Sequence, residues 1–494
     1  FDVQASPLGL RNLVQTACCS AMSLFQPRSA QAAFSFAFLL RVTADRSTVP
    51  LPTTPQLLYQ QHEIMALVHF NMATFAHDGD PGCGPDNWNQ KASYATGPTS
   101  DPATFNPEGL NVSNWAESMV ALGAKHAVLT AKHGCGHLLW PTRTPLPDGR
   151  DYTYCVGKNA SAIKRDVLKE FSDTMLRFGI GHGFYYSLTN NFYLNVQGHN
   201  VQNTSLLPGQ EKVSQDEFEA IALSQVTELW TDYGHLSEIW FDGGYTSDMK
   251  DNITSLLNLR QPTAASFGGY GVSPNPVCWV GTESGAPGGE VWSTGTSNLG
   301  DPNSTVFCPK ACDTTLQEGD HWFWTSSNDI RSLTELIDVY HGTVGRNGML
   351  ELDFAINRSG LVDEAHAERY KEFGDWIRAC YGTPVVSTAV TGTYAELETP
   401  PGSPQIDRVM LQEDLASGQR VRAYRVEYLL QGKWTLFSSG RSIGHKRIDL
   451  GNPISGSQIK FKLNITDYIG GGPLIQNFAI FAACPSDAEE IVVV

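Results

Sequence analysis

Residues 235–245 read HLSEIWFDGGY, a run of apolar and aromatic side chains that ends at Asp242 and two glycines. A carboxylate in this place has two interpretations. It can mark a strand-to-turn junction, where Asp and Gly supply turn hydrogen bonds and positive φ angles. It can also be a functional acid at the end of a buried strand. The choice depends on the elements that flank the run.

The flanking sequence alternates strand-like runs with helical patterns from about residue 60 onward. The runs are MALVHFNM (65–72), HAVLTAKH (126–133) and GHGFYYSL (181–188). Helices are predicted over 111–124, over 160–179 with a stop at Gly179, and from a capping box at Ser214 and Glu217. Apolar strands separated by amphipathic helices form a parallel sheet, and so long a repeat favours a closed barrel. The predicted fold class is α/β, a (β/α)8-like TIM barrel.

Composition narrows the choice of ligand. The 494-residue chain has a formal net charge of −17 and no basic block, which argues against a nucleic-acid partner and favours a neutral ligand. The cysteines show no zinc-binding spacing, since Cys308 and Cys312 lie close together without histidines at the required interval. No metal or organic cofactor is expected.

Seven Asn-X-Ser/Thr sequons and ten cysteines together favour an oxidising compartment, either secreted (extracellular) or lysosomal. The sequon asparagines are Asn111, Asn159, Asn203, Asn252, Asn303, Asn357 and Asn464. Cys135 and Cys155 are the best candidates for a disulfide, because their bond would close a short loop.

Residues 1–51 do not read as a domain, and we interpret them as a targeting remnant or a surface-wrapping extension. Their apolar stretch AAFSFAFLL (32–40) is too short to span a bilayer, and no other run approaches that length. No membrane association is therefore predicted.

Polar residues recur where the predicted strands end. In a (β/α) barrel the carboxyl ends of the strands carry the chemistry. His69, His133, Tyr185 and Asp242 all fall at such ends. A lone histidine in an apolar run is more often a core residue, but four polar residues at equivalent ends favour a shared site. Asp242 is therefore interpreted as functional.

The stretch VCWVGTESGAPGGE (277–290) supplies a second carboxylate. Glu283 follows a strand-like run in a Gly-rich loop, and Glu290 is a competitor in the same loop. Aromatic faces stack on sugar rings, and the tryptophans available for this are Trp240, Trp279, Trp322 and Trp324. A carboxylate pair about 5 Å apart serves retaining glycoside hydrolysis. Carbohydrate chemistry is predicted, with Trp322 among the substrate-binding residues.

An ordered series of blocks from residue 52 onward resembles the α-L-fucosidases of glycoside hydrolase family 29, and the branch that includes plant enzymes more than the lysosomal animal branch. The blocks are MALVHFNMATF, VLTAKHGCGHLLWPT, GFYYS, EIWFDGG, WVGTESG, CDTTLQEGDHWFW and VGRNGMLELDFAINRSG. The resemblance implies that Asp242 is the nucleophile and Glu283 the general acid and base. It also implies a fucose subsite lined by His69, His133, Tyr185 and Trp240.

The segment after the proline-rich TPPGSPQ (399–405) shows the period-two alternation of strands, as at Tyr424, Val426 and Tyr428. It resembles the C-terminal β-sandwich of the same enzymes. The predicted domains are an N-terminal extension (1–51), a catalytic barrel (52–384) and a C-terminal β-sandwich (385–494).

The chain departs from the family pattern in two places. The family usually has two adjacent histidines followed by DGF, whereas His133 is followed by GCGH, so Gly134 replaces the second fucose-binding histidine. Loss of this hydrogen bond to the sugar should weaken binding by on the order of 1 kcal/mol or more. His137 or a loop residue would have to supply another partner to compensate. AHDGDPGCG (76–84) stands in place of the usual acidic and tryptophan block.

These features predict a retaining exo-α-L-fucosidase that removes terminal α-linked L-fucose from fucosylated oligosaccharides or glycoproteins by double displacement. Two alternatives stay open. One is a catalytically impaired fucose-binding protein of the same fold, and the other is a hydrolase for a related sugar such as α-L-galactose. The sequence indicates no oligomeric state.

Overall fold

A computed structural model describes residues 49–76, 99–319, 321–327 and 329–484. The sequence-based expectations for residues 1–48 and for 77–84 of the AHDGDPGCG segment concern residues outside these ranges.

Eight parallel strands close into a barrel in which each strand pairs with its neighbours in chain order and the eighth closes on the first. The strands are β1 (Ile64–His69), β2 (His126–Lys132), β3 (Gly181–Ser187), β4 (Glu238–Asp242), β5 (Ala265–Phe267), β6 (Pro276–Trp279), β7 (Lys310–Thr314) and β8 (Gly348–Ala355). The predicted TIM barrel is confirmed.

Because the strands are pleated, their side chains point alternately into the barrel and outward to the layer of helices. On β1, Met65 and Leu67 belong to the cluster inside the barrel, whereas Ala66 and Val68 pack outward against the helices. On β4, Trp240 points inward. Because side chains two residues apart share a face, the last inward positions of these strands open at the carboxyl end of the barrel.

The barrel strands are accompanied by α-helices whose ends follow from local capping. The helices are α1 (Thr54–His62), α2 (Met72–Ala76), α3 (Val112–Leu122), α4 (Val167–Phe178), α5 (Gln215–Asp232), α6 (Lys250–Arg260), α7 (Leu333–Gly342) and α8 (Glu364–Tyr381). The predicted capping box that begins α5 is confirmed. The Ser214 hydroxyl accepts a hydrogen bond from the Glu217 amide, and the Glu217 carboxylate accepts one from the Ser214 amide.

The predicted start of the fourth helix is wrong. The helix begins at Val167 rather than near residue 160. The Asp166 side chain accepts a hydrogen bond from the Lys169 amide at 2.9 Å and so caps the first turn of the helix. Ile163 precedes the helix and still packs against the core. The predicted end is confirmed, since Gly179 has the left-handed φ of 71° that follows many helices.

Two four-stranded antiparallel sheets form the C-terminal β-sandwich, as predicted. Its strands are β9 (Val386–Thr391), β10 (Tyr394–Glu398), β11 (Ile406–Glu413), β12 (Val421–Leu430), β13 (Lys433–Gly440), β14 (Arg447–Ile454), β15 (Lys460–Tyr468) and β16 (Leu474–Ala482). The sheet orders are β9-β16-β11-β14 and β10-β15-β12-β13. The domain limits at 384 and 385 stay a prediction; α8 ends at Tyr381 and β9 begins at Val386.

The sandwich is tied to the amino end of the barrel by a cluster that we call the latch, formed by Glu63, Glu290, His445, Lys446 and Arg447. The Lys446 ammonium lies 2.6 Å from the Glu63 carboxylate, and His445 donates to the same group at 3.0 Å. Burial alone would raise the pKa of Glu63, but the charge of Lys446 and the hydrogen bond from His445 hold it at about 2. Arg447 donates to Glu290 at 3.0 Å.

Two disulfides are present in the described part of the chain, Cys278–Cys308 and Cys380–Cys484. The second joins the last barrel helix to the end of the sandwich. The predicted Cys135–Cys155 disulfide is wrong: Cys135 is disulfide-bonded, but Cys155 is a buried free thiol whose pKa burial raises to about 12. Within the described ranges, no helix has the length and hydropathy needed to cross a membrane.

Candidate active site

A cavity of about 160 Å³ opens at the carboxyl ends of the barrel strands. At about 30 Å³ per water molecule this space would hold about five waters, which suits a single sugar ring. Its lining residues are Leu67, His69, His133, Tyr185, Trp240, Asp242, Glu283, Asp313, Trp322 and Phe323. All seven side chains singled out from the sequence therefore meet in one cavity, while the role of each stays a prediction.

Asp242 is the last residue of β4, and its position explains the two glycines that follow it. Gly243 has a φ of +71°, and a Cβ there would lie 1.8 Å from the Thr189 hydroxyl oxygen. That hydroxyl donates to the Asp242 carbonyl at 2.8 Å. The chain thus turns away directly after the carboxylate, so the junction is both a turn and a lining position of the cavity.

The Asp242 carboxylate is held by an aromatic stack. The Tyr185 hydroxyl donates to Asp242 Oδ2 at 2.5 Å. The Tyr185 ring stacks on Trp240 with 5.0 Å between centroids, and Trp240 stacks on Phe267 at 3.8 Å. Burial, and then the neighbouring Asp242, raise the pKa of Tyr185, so the phenol keeps its proton and acts as a donor. One carboxylate oxygen is therefore fixed, and among the described residues no hydrogen bond engages Oδ1.

Two histidines present neutral rings to the cavity. His69 Nδ1 lies 2.8 Å from Asp353 Oδ1, and burial lowers the pKa of His69 while it raises that of Asp353. This pair is therefore held without net charge. Burial lowers the pKa of His133 to about 4, although the charge of Asp242 opposes the shift. Near neutral pH both imidazoles can hydrogen-bond sugar hydroxyls.

Lys132 places a buried amino group close enough to Asp242 to interact with its charge, and the sequence does not single it out. Its Nζ donates to the carbonyl oxygens of Ser187 and Asn190, the latter at 2.6 Å. These contacts fix the loop after β3 that also carries Thr189. Burial lowers the pKa of Lys132 to about 7, against the attraction of Asp242.

Glu283 reaches the cavity because its loop is fastened to β7. The Gly285 amide donates to the Asp313 carbonyl at 3.1 Å, and Ser284 forms an antiparallel bridge with Thr314. Trp322 Nε1 approaches Glu283 Oε2 at 3.3 Å. The competitor Glu290 instead accepts the Ser442 amide and Arg447 in the latch, each at 3.0 Å. The structure thus separates the two glutamates.

Besides Glu290, three residues considered in the sequence analysis do not line the cavity. Trp279 lies beside it and donates to Asp313 at 2.6 Å, and Trp324 donates to Asp363. His137 is fully buried between the rings of Phe105 and Tyr154. His137 therefore does not replace the histidine that is missing at Gly134.

Leu67, Asp313 and Phe323 line the cavity but were not predicted. Asp313 carries the same signal as Asp242, a carboxylate on an inward position near the end of an apolar strand, here KACDT (310–314). Phe323 lies between the tryptophans of HWFW (321–324), so its aromatic context could have identified it. In the described residues no group of three His, Cys, Asp or Glu side chains is arranged to hold a metal ion.

Comparisons with known proteins agree with this geometry. The α-L-fucosidase family model matches residues 84–382. A rice protein assigned as α-L-fucosidase 1 is 28% identical over 488 residues, which cover 88% of this chain and 85% of the relative. Arabidopsis thaliana α-L-fucosidase 1 is 26% identical over 454 residues, which cover 81% of each chain.

Among solved structures, a Bacteroides thetaiotaomicron protein assigned as an α-L-fucosidase superposes with a TM-score of 0.78 at 27% identity, covering 88% of this chain and 100% of that one. The family match spans more than half of the chain and includes both proposed catalytic carboxylates. The chain therefore belongs to the α-L-fucosidases of glycoside hydrolase family 29, with plant proteins among its relatives, and is a glycoside hydrolase.

Proposed function

We propose that the protein is a retaining, exo-acting α-L-fucosidase that removes terminal fucose from oligosaccharides or glycoproteins. The observation that carries this proposal is that Asp242 and Glu283 line one cavity with room for a single sugar ring. A space of this size accepts one terminal sugar ring and leaves the rest of the glycan outside the mouth of the barrel. The aromatic face of Trp322 suits the apolar face and the methyl group of fucose, and Trp240 also lines the cavity.

In the first step Asp242 Oδ1 attacks the anomeric carbon. The glycosidic bond breaks as Glu283 donates its proton to the departing oxygen, and a covalent fucosyl-enzyme forms. The Tyr185 hydroxyl on Oδ2 orients the carboxylate for this attack. In the second step Glu283 takes a proton from water, the water oxygen attacks the same carbon, and Asp242 departs. Two inversions leave the α configuration unchanged.

Hydrolysis of 4-nitrophenyl α-L-fucoside, followed by proton NMR, tests this proposal. We expect α-L-fucose as the first product, before mutarotation. β-L-Fucose as the first product would contradict retention. L-Fucose binding without turnover would identify a binding protein, and faster turnover of the matched α-L-galactoside would identify the related hydrolase.

We also propose that the protein works in an oxidising compartment, secreted or lysosomal. The two disulfides of the described part support this, and six of the seven sequon asparagines are exposed. Asn357 is the exception, because it is half-buried and its amide donates to Asp363. Expression in a secretory eukaryotic host should give a mass that falls on enzymatic deglycosylation, with Asn357 unmodified. A mass that does not change would contradict the proposal.

A further inference from the structure

Asp313 is a third carboxyl group in the cavity, and the proposed reaction does not use it. It lies on β7 and is only 4% exposed. Its Oδ1 accepts the Trp279 indole N–H at 2.6 Å. Its backbone carbonyl holds the loop of Glu283 through Gly285. The side chain is therefore rigidly placed on the same wall as Glu283.

The surroundings of Asp313 favour its neutral form. Among the described residues, no Lys, Arg or His side chain forms an ion pair with it. Burial, followed by the nearby Glu351, raises its pKa well above the usual value. Glu351 is itself fully buried, where its carboxyl accepts the Tyr59 hydroxyl at 2.8 Å and the Trp240 indole at 3.0 Å. With Oδ1 engaged by Trp279, Oδ2 is the oxygen that can carry the proton.

The barrel order places Asp313 across the cavity from Tyr185. Strand β7 lies four strands from β3, which carries Tyr185, in a closed ring of eight. His69 and His133 belong to β1 and to the end of β2. A sugar ring that presents one edge to Tyr185 on β3 has its opposite edge toward β7. A hydroxyl on that edge needs a partner, because a buried polar group without one costs free energy.

We propose that Asp313 binds a ring hydroxyl of the fucosyl unit by donating the O–H of its uncharged carboxyl group, with Trp279 holding the carboxyl in place. This inference rests on the proposed substrate. It also gives the site a sugar contact on β7, which lies three strands from the end of β2, where Gly134 stands in place of the family's second histidine. Asp313 is thus a specificity residue, because an analogue without that hydroxyl would leave the carboxyl unpaired.

The Asp313→Asn and Asp313→Ala variants test the contact by calorimetric titration with L-fucose, which does not require turnover. Asparagine keeps an acceptor for Trp279 and an N–H donor for the sugar, so its affinity should stay close to that of the wild type. Alanine removes both, and its affinity should fall about tenfold. Equal affinities for wild type and Asp313→Ala, or equal losses in both variants, would overturn the proposal.

A deoxy-sugar series separates a direct contact from a general disturbance of the fold. L-Fucose analogues that each lack one hydroxyl are titrated into the wild type and Asp313→Ala. One analogue should bind the wild type about tenfold more weakly than L-fucose does, yet bind Asp313→Ala as well as L-fucose does. Unchanged penalties for every analogue would overturn the contact.

Together with the hydrolysis assay, these titrations show whether a failure concerns the role of Asp313 or the proposed hydrolysis. A wild type that binds L-fucose but does not hydrolyse the aryl fucoside would overturn the reaction only, and the comparison of variants would still decide the role of Asp313. A wild type that hydrolyses the aryl fucoside, but binds every deoxy analogue as well as it binds L-fucose, would overturn the role of Asp313 only.

Discussion

Replacing Asp242 by Ala is expected to lower kcat for 4-nitrophenyl α-L-fucoside by about 10³- to 10⁵-fold, or roughly 4–7 kcal/mol of transition-state stabilisation. The variant lacks the oxygen that attacks the anomeric carbon. Its fold should persist, because the side chain lines the cavity and its described hydrogen bond is the one from Tyr185. Losing that bond costs about 1 kcal/mol. Steady-state kinetics and thermal unfolding measure the two effects separately.

Azide provides the control for this variant. A small anion can occupy the space of the missing carboxylate and attack from the same side, so Asp242→Ala with azide should regain part of its rate and form β-fucosyl azide. Formation of this product would show that the active site is intact. Wild-type activity in Asp242→Ala without azide would end the assignment of the nucleophile.

Replacing Glu283 by Ala is expected to affect substrates according to their leaving groups. A general acid contributes about 10²- to 10⁴-fold when the departing oxygen needs a proton. Release of fucose from an oligosaccharide should therefore fall by that factor. The 4-nitrophenyl fucoside should be much less affected in its first step, because nitrophenolate leaves without protonation. The measurement is the ratio of the hydrolysis rates of the oligosaccharide and the 4-nitrophenyl fucoside, both taken on one enzyme preparation.

Glu290→Ala is the matched comparison, since both glutamates lie in the same loop. Glu290 binds Ser442 and Arg447 in the latch, so its loss should lower the melting temperature without changing the ratio of rates for the two substrates. A leaving-group dependence that appeared in Glu290→Ala and was absent in Glu283→Ala would show that the acid had been assigned to the wrong residue.

The predictions that depend on local pattern agree with the structure. The Ser214 capping box uses contacts three residues apart, and the barrel follows from apolar strands that alternate with helices. His69 and Asp242 could be located because the pleat and the end of a strand together define the mouth of a barrel. Asp313 obeys the same rule. The sequence does not single it out because the loop that precedes its strand is long and irregular.

One local cap and several distant contacts were not predicted from the sequence. The fourth helix begins at Val167 because the Asp166 side chain caps it, although the apolar pattern continues back to Ile163. Cysteine spacing could not show that Cys155 remains free. His137 precedes an apolar run, yet its ring packs on Phe105 rather than in the cavity. No local pattern links Glu63 to Lys446, which lie 383 positions apart.

The latch has a consequence for protein engineering. A truncated chain without the sandwich would keep Glu63 and Glu290 but lose their cations. Both carboxylates are partly exposed, so this loss alone costs little. The truncation also removes Met410, Ile448 and Phe481, which belong to the same buried apolar cluster as the barrel helices, and exposing apolar surface of such a cluster costs free energy. The catalytic half is therefore not a portable module, and a barrel transplanted into a chimaera needs a C-terminal domain that covers the same apolar side chains.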